Sequence, residues 1–178
     1  MSDTGSGPVG EPDAAHEPYT RGPVAALWVV TIAALMVHNV EEAVLGLNRW
    51  LTAKPWFPTQ ALQLSDGQFT AALAVVTAVV GLLAVVSVLL PPRWGTEALT
   101  AVAYALSVNA IGHIMVSFVA WSLMPGVFTS VFLLLPVNIL VLRRLPATRW
   151  TAASVIGTVL LAFVLLFGAL LSAQYLPL

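Results

Sequence analysis

The chain contains no cysteine. Disulfides, thiolate metal sites and a cysteine nucleophile are therefore excluded, and the redox compartment stays open. Charge is also scarce. Only 8% of the 178 residues are charged, against about 25% in soluble domains. Seven Lys and Arg against eight Asp and Glu give a net charge of -1. That leaves no polyelectrolyte character, so nucleic acid is not expected as a partner.

What is present is apolar. Hydrophobic residues make up 59% of the chain, and the mean hydropathy is +0.93. The exception is the start, "MSDTGSGPVGEPDAAHEPYTRG". Rich in Gly, Pro and acidic residues, it cannot bury enough apolar surface to offset its ordering entropy. Residues 1–22 read as a disordered tail and residues 23–178 as the membrane domain. The tail lacks the charge pattern and apolar core of a signal peptide, so the first span is expected to be retained as an anchor.

Five apolar segments follow: Pro23–Leu47, Gln68–Leu90, Thr96–Ser122, Gly126–Leu142 and Thr151–Ser172. Each approaches the roughly 20 residues a helix needs to cross a bilayer. Only helices and closed barrels can span, and these runs do not alternate with period two. The fold class is all-α: a polytopic bundle of five transmembrane helices with the lipid bilayer as its partner. Pro136 falls inside the fourth span, where neighbouring groups must satisfy a freed carbonyl. No internal repeat is evident.

Punctuation agrees. "SDGQ" at Ser65–Gln68 has capping-box spacing. "PPRWGT" at Pro91–Thr96 reads as a tight turn with Thr96 as the N-cap. "MPG" at Met124–Gly126 separates the third and fourth spans. Trp50, Trp56, Phe57, Trp94 and Trp150 fall at span ends, as an aromatic belt requires. Arg21, Arg93, Arg143, Arg144 and Arg149 lie on the tail's side and Arg49 and Lys54 on the other. This bias favours a cytoplasmic N-terminus and an external C-terminus.

The ionisable side chains within the spans are His38, Glu41, Glu42 and His113; Glu97 sits at a helix start. A carboxylate at mid-bilayer costs roughly 2.5–3.5 kcal/mol on insertion scales, so such groups pair, face water or bind a cation. His38 and Glu42, at i and i+4, share a helix face, with Glu41 on its border. The first and third helices run the same way, and His38 and His113 lie at matching depth, slightly past the middle. Asn109 is one turn before His113. Asn138, in the fourth span, is expected at a similar level.

In one zinc-peptidase helix pattern, His-x-x-Glu-His, the outer residues bind metal and the Glu is a general base. By that comparison His38, Glu42 and His113 are metal ligands and Glu41 is the catalytic base, with an open position for water. Asn109 and Asn138 are candidate substrate contacts, or equally interhelical hydrogen-bonding residues. Zinc is the expected divalent ion, with iron or manganese as alternatives. Other readings stay open. Glu41 and Glu42 could exchange roles or bridge two ions. His38 and Glu42 could be a buried packing pair. The carboxylates could carry protons. Gly112 beside His113 reads as a point of close helix approach.

These residues resemble a family of small bacterial integral membrane proteins named for its HXXEE motif. "HNVEE" at His38–Glu42 is the defining element. "NAIGH" at Asn109–His113 and "MPGVFTSVFLLLPVNI" at Met124–Ile139 resemble its second and third blocks. The resemblance implies a helical membrane protein with metal-dependent activity and gives no substrate. The expected function is a membrane-embedded metal-dependent hydrolase acting on an apolar or lipid-like molecule. A metal-independent, acid-catalysed isomerase or cyclase of an isoprenoid-like substrate and a proton-coupled carrier are the alternatives.

Overall fold

A computed structural model describes residues 21–56, 64–89, 92–145 and 152–177. The helices are α1 (Arg21–Val44), α2 (Leu47–Thr52), α3 (Asp66–Leu89), α4 (Pro92–Val119), α5 (Val127–Thr129), α6 (Leu135–Arg144) and α7 (Ala152–Ala173). A π turn, Ser130–Leu134, joins α5 to α6 without a break. Among the described residues there is no strand. Five helices are long and apolar enough to cross a membrane: Gly22–Val44, Asp66–Leu89, Trp94–Val119, Val127–Arg144 and Ile156–Ala173. The chain is thus an all-α membrane protein of five spans.

Local chemistry sets the ends. α1 stops because Gly46 adopts a left-handed conformation, φ 70, while its amide bonds back to the Ala43 carbonyl at 3.3 Å. This is the usual device for releasing a chain from a helix. The released chain forms α2, a short helix absent from the sequence reading, whose Leu47 and Leu51 are buried. At α3 the capping box closes reciprocally. Gln68 N–H donates to Ser65 Oγ at 3.1 Å and Ser65 N–H to Gln68 Oε1 at 3.0 Å.

Thr96 is not an N-cap. α4 begins four residues earlier, at Pro92. Proline's fixed φ suits the first helical turn, where its missing N–H costs nothing. Thr96 is a buried residue inside the helix, its carbonyl accepting from Thr100 Oγ1 at 2.7 Å. Gly95 marks the close approach here, since a Cβ would lie 2.9 Å from the Ser87 carbonyl oxygen on α3. The π turn precedes Pro136 and widens the helix before a residue that can supply no N–H.

α1 packs on α3, α4 and the fourth span, and α3 also holds α7. In lipid, apolar burial gives no hydrophobic drive, so close packing must hold the helices. Small residues permit it: Ala34, Ala72, Ala84, Ala103 and Ala110 are all buried. Trp56 and Trp94 are exposed near span ends, in keeping with an aromatic belt. Trp50 lies in α2 and donates to Ser122 Oγ at 3.1 Å. Nearly all of the tail, Phe57, Arg149 and Trp150 lie outside the described residues, as do the side chains of Arg21 and Arg93.

Candidate metal centre

His38 is six residues before the end of α1 at Val44, and His113 six before the end of α4 at Val119. The matched depth expected from the sequence therefore holds. It is shallower than expected, because at about 1.5 Å per residue both rings lie roughly 9 Å from their helix ends. Glu42 is closer still to the end of α1.

The three side chains meet. Glu42 Oε1 is 2.8 Å from His113 Nε2 and 3.2 Å from His38 Nε2. The imidazole rings stand edge to face, centroids 4.9 Å apart. All three residues are buried, and one ligand atom from each lies within 4.8 Å of the others.

Proton positions follow from the outer partners. His113 Nδ1 is 2.9 Å from the Pro125 carbonyl oxygen. A carbonyl only accepts, so Nδ1 carries a proton and donates. A neutral His113 then turns a bare Nε2 lone pair onto the Glu42 carboxylate. His38 repeats the arrangement. Its Nδ1 is 2.8 Å from Thr129 Oγ1, and that hydroxyl donates onward to the Gly126 carbonyl at 3.3 Å. Asn109 Nδ2 lies 3.1 Å from His38 Nε2. The assignment satisfying all these groups has His38 donating from Nδ1 and accepting at Nε2. The lone pair of a neutral His113 then faces the carboxylate with no hydrogen between them, while the His38 Nε2 lone pair is taken by the Asn109 amide and becomes a ligand once that amide turns away. Such a set fits a divalent cation, and a backbone carbonyl holding the far ring nitrogen is the usual outer support of a metal-ligating histidine.

The distances also fit. With ligand atoms roughly 2.0–2.2 Å from a tetrahedral zinc, pairs of them stand roughly 3.4 Å apart. The 2.8 and 3.2 Å contacts need a small spread, and all three ligand atoms lie within 4.8 Å of one another.

Glu41 is elsewhere. Its Oε1 accepts from the backbone N–H of Gly126 (3.0 Å) and Phe128 (3.3 Å), and its Oε2 from Thr129 N–H (2.8 Å). The residue expected as a base thus caps the start of the fourth span. A carboxylate suits that place, being an acceptor set against free N–H groups at the positive end of a helix. Successive helix residues diverge by about 100°, so Glu41 and Glu42 face different partners.

Asn138 is also displaced from its expected level. Thr129 touches His38, and Asn138 is nine residues further along, roughly 13 Å at helical rise. The centre sits nearer the helix ends than the estimate assumed. Gly112 makes no close approach, for a Cβ there meets nothing within 4 Å. That part is taken by Gly126, where a Cβ would lie 2.7 Å from His113 Cε1, 2.9 Å from its Nδ1 and 3.0 Å from Glu42 Cγ. Its φ of 93 is itself left-handed. The Pro125 carbonyl and the Thr129 hydroxyl were not singled out in the sequence, although both lie in the stretch that resembles the third family block.

A groove of ≈ 370 Å³ runs between α1 and α3, lined by Met36, Val40, Leu73 and Thr77 among others. None of the three clustered residues borders it. Asn39 closes its floor, donating to Thr77 Oγ1 at 2.8 Å and to the Leu73 carbonyl at 3.2 Å.

The fold and the cluster define a class: a helical membrane protein with a buried His–Glu–His group near one end of its spans. Residues 28–141 match the family described as "Protein of unknown function with HXXEE motif", and the chain belongs to that family. No curated protein and no solved structure matches it.

Proposed function

We propose that this protein is a membrane-embedded metalloenzyme that hydrolyses a lipid-like substrate, its ion held by His38 Nε2, Glu42 Oε1 and His113 Nε2. One observation carries the reading. A neutral His113 has its one proton committed to the Pro125 carbonyl, which leaves a lone pair 2.8 Å from a carboxylate oxygen. Like-signed partial charges at that separation repel, and a cation between them turns the repulsion into coordination.

A bound divalent ion supplies Lewis acidity and a water of lowered pKa. Zinc suits two imidazoles and a carboxylate, and iron or manganese is the alternative. Thr129 at Nδ1 orients the His38 ring, and the Asn109 amide beside Nε2 turns aside when that nitrogen takes the ion. The half-exposed Glu41, Asn109 and Thr129 form the rim at which substrate arrives. The depth of the cluster, close to the helix ends, suits a bond at the level of lipid headgroups. The arginine bias supports a cytoplasmic N-terminus with this end of the bundle outside, and the family resemblance supports a bacterial plasma membrane.

Metal analysis of protein purified in detergent tests the reading. The expected result is about one equivalent of a transition metal per chain, lost in His113→Ala and in Glu42→Gln. Metal-free wild-type protein that also fails to take up zinc on titration would sink it.

A second reading puts protons in the ion's place. The 2.8 and 3.2 Å separations are hydrogen-bond distances. Imidazolium rings would then clamp Glu42, and Asn109 would turn its amide oxygen toward His38. That version ties α1 to α4 and suits a proton carrier or an acid-catalysed enzyme. Full activity in the presence of a strong chelator would favour it.

A further inference from the structure

A second polar station lies toward the opposite end of the bundle, away from the cluster. Asn138 is 0% exposed and Trp28 is 1% exposed. Both oxygen and nitrogen of the Asn138 amide, and the Trp28 indole Nε1, have no hydrogen-bond partner among the described residues. Leaving one buried polar group unmade costs about 1–3 kcal/mol in a protein interior, and at membrane depth no lipid can supply the bond.

Register places the two at one depth. α1 and the fourth span run antiparallel, with His38 opposite Thr129 through their 2.8 Å contact. Trp28 is ten residues back from His38, roughly 15 Å, and Asn138 is nine residues on from Thr129, roughly 13 Å, at helical rise. They therefore occupy nearly the same depth on helices that touch. Each also lies on the buried face of its helix, Trp28 in line with Thr31, Leu35 and His38, and Asn138 in line with Leu134 and Val141.

We propose that ordered water is bound between Trp28 and Asn138, bridging α1 to α6. The donor set selects the ligand. Trp28 offers only a donor, while Asn138 offers donors and an acceptor. A cation would face N–H groups and an anion the amide oxygen. Water both accepts and donates, and buried waters commonly make about three such bonds. The inference is independent of the metal centre.

Hydroxyl-radical footprinting by short X-ray pulses tests it, on the full chain in lipid nanodiscs with mass spectrometry as readout. Radicals born from bound water oxidise the side chains they touch, even buried ones. Trp28 is expected to be oxidised at a rate comparable to exposed Trp94, and several-fold more slowly in Asn138→Leu. A silent Trp28 beside a modified Trp94 would overturn the proposal, as would a Trp28 rate unchanged by Asn138→Leu. Should the leucine variant not fold, Asn138→Ala is read in the same way, and the wild-type rate decides by itself.

Discussion

Gly126 carries no side chain, and the centre has no room for one. A methyl group there would press on His113 and Glu42 together, on a backbone already at positive φ. We expect Gly126→Ala to cost about 1–3 kcal/mol in stability, from strain alone, and to weaken metal binding by moving the His113 ring. Gly112→Ala, one position from the same histidine, is expected to leave both unchanged, since nothing lies within 4 Å of the new atom. Thermal unfolding and zinc titration of the pair check this. At this scale the sequence was informative about residues that share a helix face or a depth. His38, Glu42, His113 and Asn109 converge because helical geometry fixes both quantities. Thr129 and the Pro125 carbonyl come from the start of the fourth span, and no periodicity within α1 or α4 points to them. Asn138 falls at another level because α1 and α4 end at Val44 and Val119, short of the expected Leu47 and Ser122, which brings the centre nearer the helix ends.

The fourth span begins on a carboxylate borrowed from α1. Glu41 holds three of its first amides. We expect Glu41→Ala to destabilise the protein by about 0.5–2 kcal/mol, the usual loss for a helix cap, with metal stoichiometry unchanged. The opposite pattern, normal stability with the metal lost, would return Glu41 to the coordination sphere. Thermal unfolding beside metal analysis separates the two. The element boundaries were legible wherever a side chain writes them: the Ser65–Gln68 box closes as its spacing requires. They were less legible where backbone chemistry decides. Pro92 starts α4 ahead of a threonine that looked like a cap, and Gly46 ends α1 early enough to free α2. The π turn has no signature beyond the proline that follows it.

Across the whole molecule, five long apolar runs made the spans readable, because lipid leaves the backbone so few alternatives. The chain's lack of cysteine makes its sidedness testable without further engineering. A single thiol introduced by Lys54→Cys is expected to react with a membrane-impermeant maleimide added to intact cells. One introduced by Arg143→Cys is expected to react only after permeabilisation. The reverse pattern would invert the orientation assigned from the arginine bias.

The cluster draws on three stretches far apart in the chain: α1, α4, and the Pro125–Thr129 stretch that opens the fourth span. No two of them can complete it. Anything that binds the assembled form and not the scattered one stabilises assembly by mass action. If the cluster holds the proposed ion, the last docking of freshly inserted helices is a metal-dependent event. Starvation for the ion would then show first as shortened lifetime, with unpaired spans recognised and cleared by membrane proteases, before any loss of catalysis could be measured.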